Sequence, residues 1–578
     1  MTGVVRVVPD VTGLDKAFDY RVPDALAARI APGTIVRVPL HGRSVRGWVV
    51  ELDPADDAVE DSKLRDVVKV SSLGPSVELI ELAEWASVRW AAGRLRPFLQ
   101  AASPPTNVAG RPPPDRRRPA AVATAPVAQA LVADGGGVLR WPPNDDPRPV
   151  VAAAAAIGPT LVVTPSIHGA RRLTAGLRRD GWSVALVPDD WARAAAGVDI
   201  VVGPRGAAWA PCPVLAAAVV LDEHDEALQE ERSPTWHARD VVVERCRRLG
   251  APCLLVSPCP TVMAAHGAGG QVARVPTDDE RASWPIVEIV DRTRDEPWKT
   301  SLVTSPLIRH LRDPNRVVVC VHNTRGRARV LACRACRSLV RCATCEAAVG
   351  LDDAGRLVCR RCGTVRPPVC LVCGASAFAN LRPGVTRLRE ELQAAAGRPV
   401  VAVTGGDVDR PAPAGIYVGT EAVLHRIERA DTVAFLDIDA ELLAPRYRAA
   451  EQAMGLLMRG ARRAGRRADG GRLLIQTFLP RHEVLQAALL ADPGRLVDGE
   501  LARRALLDLP PFAALAAVSG AGRDVVAGAL RGDETVRVGG DDPVLVRAAS
   551  WDALGRALQA VPRPKGSRLR VAVDPPRV

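Results

Sequence analysis

Eight of the thirteen cysteines fall into four C-x-x-C pairs, at 333/336, 342/345, 359/362 and 370/373. Two residues between cysteines let both thiolates face one side of a tight turn, and two such pairs complete a tetrahedral sulfur shell with metal–sulfur bonds of roughly 2.3 Å. The spacers between pairs are 5, 13 and 7 residues. The longest, EAAVGLDDAGRLV, predicts a hairpin in which two apolar arms flank the turn residues DDAG. Nesting the pairs gathers Cys342, Cys345, Cys359 and Cys362 into one shell and Cys333, Cys336, Cys370 and Cys373 into the other; sequential pairings stay open from spacing alone. Four-sulfur shells are closed and structural, so two zinc ions and no catalytic water are expected. The remaining five, Cys212, Cys246, Cys253, Cys259 and Cys320, read as buried small apolar groups.

The compartment bears on that reading, because cytosolic thiols stay reduced and their pairs read as metal ligands rather than disulfides. MTGVVRVVPDVTG at the start has no basic segment followed by a cleavable apolar core. The most apolar run, 150–163, is broken by Gly158 and Pro159 and is too short to span a bilayer. A cytoplasmic protein with no membrane partner is therefore expected. With 578 residues, 47% apolar and 25% charged, core size is not limiting and about three or four domains fit. The net charge of +12 comes almost wholly from arginine. Such a surplus suits an anionic partner such as nucleic acid, although an Ala-, Val- and Arg-rich chain from a GC-rich genome carries it too.

Short β-branched runs at 4–8, 34–38, 45–52 and 67–70 predict a small β-rich module, and 79–91 then carries helical spacing through Leu79, Leu82, Trp85, Ala86 and Trp90. The stretch SPPTNVAGRPPPDRRRP, 103–119, predicts an exposed linker whose arginines, Arg111 and Arg116 to Arg118, touch phosphates nonspecifically. From residue 120, LVVTP, VALVP, DIVVG, AAVVLD and CLLVS alternate with alanine-rich helical stretches. Past 285, VVVCVH, VVAVTG, IYVGT, TVAFLDID and RLLIQT repeat the pattern, and the cysteine cluster interrupts it. Strands alternating with helices make parallel α/β sheets. Residues 506–578 predict short strands and one helix.

Several segments converge on one family. LDEHDEALQEERSPTWHARD at 221–240, the cysteine module behind VHNTRGRARVLAC, the N-terminal AFDYRVPD and PGTIVRVPLHGR, and the late LDLPPF and VAVDPPRV resemble the primosomal replication-restart helicases (primosomal protein N-prime, PriA). The resemblance covers nearly the whole chain. It implies a multidomain α/β fold with a β-rich 3′-end DNA-binding domain (1–103), a Pro/Arg-rich linker (104–122) and a first RecA-like, superfamily 2 helicase-type lobe (123–285). A second lobe follows in two parts (286–328 and 377–505) around an inserted double zinc-binding module (329–376), and a small α/β C-terminal domain (506–578) ends the chain. The resemblance also implies a nucleoid-associated monomer that recognises abandoned replication forks and helps reload the replicative helicase. Its partners would be forked and single-stranded DNA, single-strand-binding protein, and primosome and helicase-loading proteins.

The family's motor motifs are degenerate in this sequence. A P-loop cradles ATP phosphates with backbone N–H groups and a lysine, while a Ser/Thr hydroxyl holds Mg²⁺. The corresponding stretch reads GGGVLRWPPNDDPRP: Gly135 to Gly137 are present, no Gly-Lys-Thr/Ser follows, and Asp145 and Asp146 repel phosphate. None of the five lysines (Lys16, Lys63, Lys69, Lys299, Lys565) follows a glycine, and Lys299-Thr300 sits behind Pro297-Trp298. Leu221-Asp222-Glu223-His224 stands where Asp-Glu-Glu-His is expected; Asp222 and Glu223 read as a residual metal pair or as a polar strand end. The Gly-Ser-Ala-Thr-Pro box has become SPCPT (257–261), and the GTQ-type motif reads GTEAVLHRIERA from Gly419. In RGARRAGRR, Arg463 and Arg466 read as remnants of arginine fingers or as an exposed basic helix. Magnesium and ATP are therefore not expected to be used.

The resemblance assigns the grip on a DNA 3′ end to Phe18, which would stack on a base, Asp19, which would accept the 3′-hydroxyl, and Arg65, in place of a family lysine near the phosphate. The family's pocket glycine matches His41 or Gly42, and Trp85 and Trp90 fall on the helix that helps capture the single-strand-binding protein's tail, where Arg89 departs from the family's aromatic. The leading expectation is a fork-binding zinc scaffold without ATP hydrolysis. The alternatives are a DNA-dependent ATPase or 3′-5′ helicase with an unusual nucleotide site, and a zinc-ribbon adaptor that binds protein.

Overall fold

A computed structural model describes residues 3–14, 16–54, 63–120, 122–295, 301–323, 331–336, 338–352, 354–359, 361–380, 385–403, 415–562 and 568–578. Lys299, Thr300, Lys565 and the 324–330 part of VHNTRGRARVLAC lie outside them.

Along β1 (Val4–Pro9) burial alternates, turning Val5 and Val7 into an apolar core. Such alternation is what a sheet with one wet face requires. β1 lies between β2 (Phe18–Arg21) and β4 (Arg43–Leu52); β3 (Ile35–Leu40), β5 (Arg65–Asp66) and β6 (Lys69–Ser72) complete the order β5-β2-β1-β4-β3-β6. The N–H groups of Val67 and Val68 donate to Arg21 O and Arg37 O, both at 2.9 Å, and so draw the β5 edge back toward β3. β2 and β5, with charged side chains at half or more of their positions, carry no apolar run; pairing with the neighbouring strands makes them.

The helix Val77–Arg89 follows, with Leu79, Leu82 and Ala86 buried. The linker is exposed, as its composition predicts, with Arg111 and Arg116 to Arg118 open to solvent, but its backbone is tied down rather than loose. The buried Asp199 carboxylate accepts the backbone N–H of Arg117 (2.9 Å), Arg118 (3.2 Å) and Ser183 (3.0 Å), and Asp115 N–H donates to Gly197 O (3.0 Å). A buried carboxylate must be hydrogen-bonded, and Arg117 and Arg118 of the linker supply two of its three donors.

The first large sheet is parallel, with the order β13-β7-β12-β11-β8-β10-β9. Its strands are β7 (Gly136–Arg140), β8 (Thr160–Val163), β9 (Val184–Leu186), β10 (Ile200–Gly203), β11 (Ala217–Leu221), β12 (Cys253–Ser257) and β13 (Val272–Arg274). β8, β10 and β11 are buried at every position, as expected of parallel strands covered on both faces. The second parallel sheet comprises β14 (Ile286–Asp291) and β15 (Val318–Val321) before the cysteine module, and β21 (Val401–Val403), β22 (Ile416–Gly419), β23 (Thr432–Phe435) and β24 (Arg472–Thr477) after it, in the order β14-β24-β23-β15-β22-β21. Between them, β16 (Leu331–Cys333) pairs with β20 (Phe378–Asn380), and β17 (Val349–Leu351), β18 (Leu357–Cys359) and β19 (Val365–Arg366) form a small antiparallel sheet.

The C-terminal sheet, β26-β27-β25-β28, joins β25 (Ala514–Gly520), β26 (Val536–Gly539), β27 (Val544–Ala548) and β28 (Leu569–Val573). It carries two helices, Arg523–Leu530 and Trp551–Ala560, where the sequence suggested one. One apolar core runs from Trp48 and Leu79 through Trp209 and Trp236 to Leu554 and Val573, fusing the N-terminal module, first lobe and C-terminal sheet. Among the described residues no helix is long and apolar enough to cross a membrane.

Candidate functional site

The loop where a RecA-like lobe carries its phosphate cradle runs between β7 and the helix Arg148–Ala155, and reads WPPNDDP (141–147). Gly136 and Gly137 lie in β7, ahead of this loop. Gly136 has φ +107, and a Cβ on it would stand 2.5 Å from the Cys253 backbone, so it serves strand contact rather than a ligand. At the helix start, Asp146 Oδ1 accepts the N–H of Arg148 (2.9 Å) and Oδ2 accepts its Nε (2.7 Å), while Pro149 has no N–H to give. A helix N-terminus attracts anions through its free N–H groups and dipole; this one is met by the chain's own carboxylate.

The box at the end of β11 is also engaged. Asp222 sits at φ +54, and both its oxygens are bound by Arg462 from the cleft helix Ala449–Ala464 of the second lobe. Burial alone would raise the Asp222 pKa; Arg462 outweighs it and holds the carboxyl below its usual range. Glu223 is fully buried and accepts Thr261 N–H (2.6 Å), Thr261 Oγ1–H (2.9 Å) and Arg239 (3.3 Å). His224 Nδ1 lies 2.8 Å from Ser257 Oγ, and burial pushes its pKa down. The remnants of two motifs thus hydrogen-bond one another. With Asp222 and Glu223 engaged through all their oxygens and Asp146 at the helix start, these residues do not fit a magnesium nucleotide.

Arg463 stays within its own lobe, donating to Leu424 O (2.6 Å) and Glu428 O (3.4 Å), whereas Arg466 reaches across to Asp145 (2.8 Å). Arg462 is the arginine that meets the box, and the sequence reading did not single it out. Its signal is helical phase: Glu451, Gly455 and Arg462 share one face of the cleft helix.

The eight paired cysteines gather as two nested tetrads, Cys333, Cys336, Cys370 and Cys373, and Cys342, Cys345, Cys359 and Cys362, each with its sulfurs within 4.8 Å of one another. Sulfur–sulfur separations are 3.5 Å (Cys333–Cys373), 3.6 Å (Cys336–Cys370), 3.4 Å (Cys342–Cys362) and 3.5 Å (Cys345–Cys359). A tetrahedron with metal–sulfur bonds of about 2.3 Å has edges of roughly 3.8 Å, so the cages fit a tetrahedral ion after slight expansion. Thr344 N–H points at Cys342 Sγ and Val372 N–H at Cys370 Sγ, both at 3.4 Å, which favours thiolate. The hairpin between the inner pairs turns at Gly355, φ +72, with Asp352 accepting Arg356 N–H at 2.8 Å.

At the edge of the N-terminal sheet, β2 runs parallel to β5 with Tyr20 opposite Arg65. Phe18 is half-buried against the module's core, and Arg65 is exposed. The Asp19 side chain is only 7% exposed and is held by Arg6 Nε at 2.9 Å, while Arg6 also reaches Glu51 at 3.0 Å. Arg6 was missed in sequence because its partners lie 13 and 45 residues away. His41 and Gly42, φ +47 and +75, form the β3–β4 turn. Trp90 is buried and Trp85 half-buried, in edge contact with each other at 5.3 Å.

Residues 6–104 match the family described as PriA 3'DNA-binding domain (3'BD). Over 581 residues the chain is 28% identical to "Probable replication restart protein PriA" of Mycobacterium tuberculosis (strain H37Rv), covering 89% of this chain and 86% of that protein. It is 27% identical over 646 residues to the Mycobacterium leprae protein of the same name, covering 97% and 96%. It is 25% identical over 429 residues to "Replication restart protein PriA" of Bacillus subtilis, covering 68% and 53%. The chain is similar to PriA replication restart proteins over most of its length, and residues 6–104 match their 3' DNA-binding domain. Among solved structures, a DEAD box protein from Methanococcus jannaschii aligns at TM-score 0.30 and 11% identity, covering 66% of this chain and 91% of that one. The similarity to PriA proteins is one of sequence, and it spans the N-terminal module, both parallel lobes and the cysteine insertion.

The pocket beside Trp85 is lined by Glu81, Glu84, Val88, Arg248 and Asp552. Three carboxylates around one guanidinium make that face acidic.

Proposed function

We propose that this chain is a replication-restart scaffold that recognises stalled or abandoned DNA forks and promotes primosome assembly and reloading of the replicative helicase, without unwinding DNA itself. The contact that argues against a motor is Asp146 on the first turn of the helix Arg148–Ala155, in a loop with no lysine. A triphosphate needs free N–H groups and an ammonium at that place. Without them, the remaining parts of a cooperating site contribute little, because such effects are strongly non-additive. DNA binding is assigned to the N-terminal module, with Arg65 toward phosphate and Phe18 at the strand end. Asp19, already paired with Arg6, would meet a 3′-hydroxyl as an oriented acceptor. The two cysteine tetrads would hold one zinc ion each, closing the module that the restart partners meet.

Phosphate release from ATP, measured with forked DNA, tests the motor. Turnover above background that Asp222→Ala abolishes would establish instead the ATPase or 3′-5′ helicase with an unusual site. Fluorescence anisotropy with a fork carrying a 3′ end at the junction, against blunt duplex, tests the DNA reading. Preference for the fork, with affinity falling steeply as salt rises, is expected; equal affinity for both would overturn fork recognition, and binding to neither would leave only a protein-binding adaptor.

A further inference from the structure

We propose that the cleft helix Ala449–Ala464 latches the two lobes together through the chain's own side chains, in the place where a motor's lobes are held by nucleotide. The contacts follow one helix face. Glu451 Oε1 accepts the N–H of Val262 at 2.6 Å, at the start of the first-lobe helix Val262–Gly267. One turn on, Gly455 leaves room for His224: a Cβ there would stand 3.3 Å from its ring. Two turns further, Arg462 binds Asp222 and donates to Pro143 O at 3.0 Å. Just past the helix end, Arg466 pairs with Asp145 at 2.8 Å.

The loop 141–147 answers from the other side. Asn144 Nδ2 donates to Ser283 O (2.8 Å) and to Ala461 O on the cleft helix (3.3 Å). Behind it, Arg140 at the end of β7 is almost fully buried between Glu280 (2.8 Å) and Asp492 (2.7 Å), the latter from the second lobe. Asp222, Asp145 and Asp492 thus meet their arginines only while the lobes stay together, whereas Glu451 also keeps Arg504 within the second lobe. Lobe closure in this chain is constitutive and independent of nucleotide, and it does not depend on the DNA-binding reading because it is a property of the free protein.

Hydrogen exchange on the full-length, DNA-free chain tests this, read on peptides covering 138–148 and 449–466. Arg462→Glu and Asp222→Arg are each expected to speed exchange there by about tenfold or more, and the exchanged pair Asp222→Arg/Arg462→Asp to restore most of the protection. Addition of magnesium ATP should change nothing. Should the single variants fail to fold, wild type decides. Arg462 and Asp222 are 33% and 20% exposed, so raising salt from about 0.05 to about 1 M must speed exchange in the same peptides. Unchanged exchange in the single variants, an exchanged pair as labile as either, extra protection by ATP, or a flat salt response would overturn the latch.

Discussion

Removing the Asp240 carboxylate should destabilise the fold more than any other single charge change. Its oxygens take Arg239 Nε at 2.9 Å and Arg89 at 3.1 Å, and both guanidinium groups are buried, 6% and 7% exposed. Arg89 also lies over the Trp551 ring, 3.9 Å from its centroid. The N-terminal helix, the first lobe and the C-terminal helix therefore meet at this carboxylate. Asp240→Ala leaves buried Arg89 without its counter-ion and Arg239 with Glu223 alone, a change that costs about 3–5 kcal/mol. In a unit of roughly 150–250 residues each kcal/mol moves Tm by about 2–4 °C, so a drop of roughly 6–20 °C is expected by scanning calorimetry. Arg247→Ala, on the exposed pair with Glu244, is the control and should move Tm by no more than about 2 °C.

The pH dependence has a defined sign. Burial alone would raise the Asp240 pKa; Arg239 and Arg89 outweigh it and hold the carboxyl far below its usual range. Such a group contributes its stability above the unfolded value near about 3.9 and loses it as pH falls through the lower folded value. The Asp240→Ala deficit should shrink below about pH 4. A deficit equally large at low and neutral pH, or a neutral-pH Tm within about 2 °C of wild type, would refute the reasoning.

Asp439 should show the opposite slope: burial and the negative charge of Asp437 push its pKa up from 3.8 to about 7. The folded chain then holds a proton that the unfolded chain has lost, so urea melts should show stability falling as pH rises through that window, and Asp439→Asn should flatten the trend. Plasma emission spectrometry should find two zinc ions per chain, and Cys342→Ser should release the ion of the inner tetrad while the outer one stays. Gly136→Ala puts a methyl 2.5 Å from the Cys253 backbone at φ +107, and chemical denaturation should register a loss of about 1–3 kcal/mol.

The cysteine tetrads were the most legible part of the sequence, because C-x-x-C spacing fixes ligand geometry locally; the choice of nested pairing needed the fold. The parallel strands were legible too, since burial on both faces leaves uninterrupted apolar runs such as those of β8, β10 and β11. What escaped depends on partners distant in sequence. β2 exists because β1 pairs with it, and its Asp19 is neutralised by Arg6. Residues 115–118 look like solvent-loving chain until Asp199 is seen beneath them. The adjacent arginines of RGARRAGRR are equivalent by composition, and only the angular position of each on its helix separates Arg462, which crosses to Asp222, from Arg463, which turns home. Gly135 to Gly137 suggested a worn phosphate cradle, whereas two of them serve β7.

The nested order of the cysteines has a consequence for how the second lobe tolerates its passenger. Because the first and last pairs share an ion cage, and Leu331 stands opposite Asn380 with Cys333 opposite Phe378, the polypeptide leaves its host and returns through one doorway, about 4.8 Å wide. A detour that begins and ends at the same threshold imposes no separation on the chain either side of it, and the module rests on its host through contacts such as Ala348 N–H to Leu443 O at 3.0 Å. The lobe's own strands keep their spacing whatever the length or contents of the excursion, and a short turn spliced across that threshold would let the remaining sheet close as before.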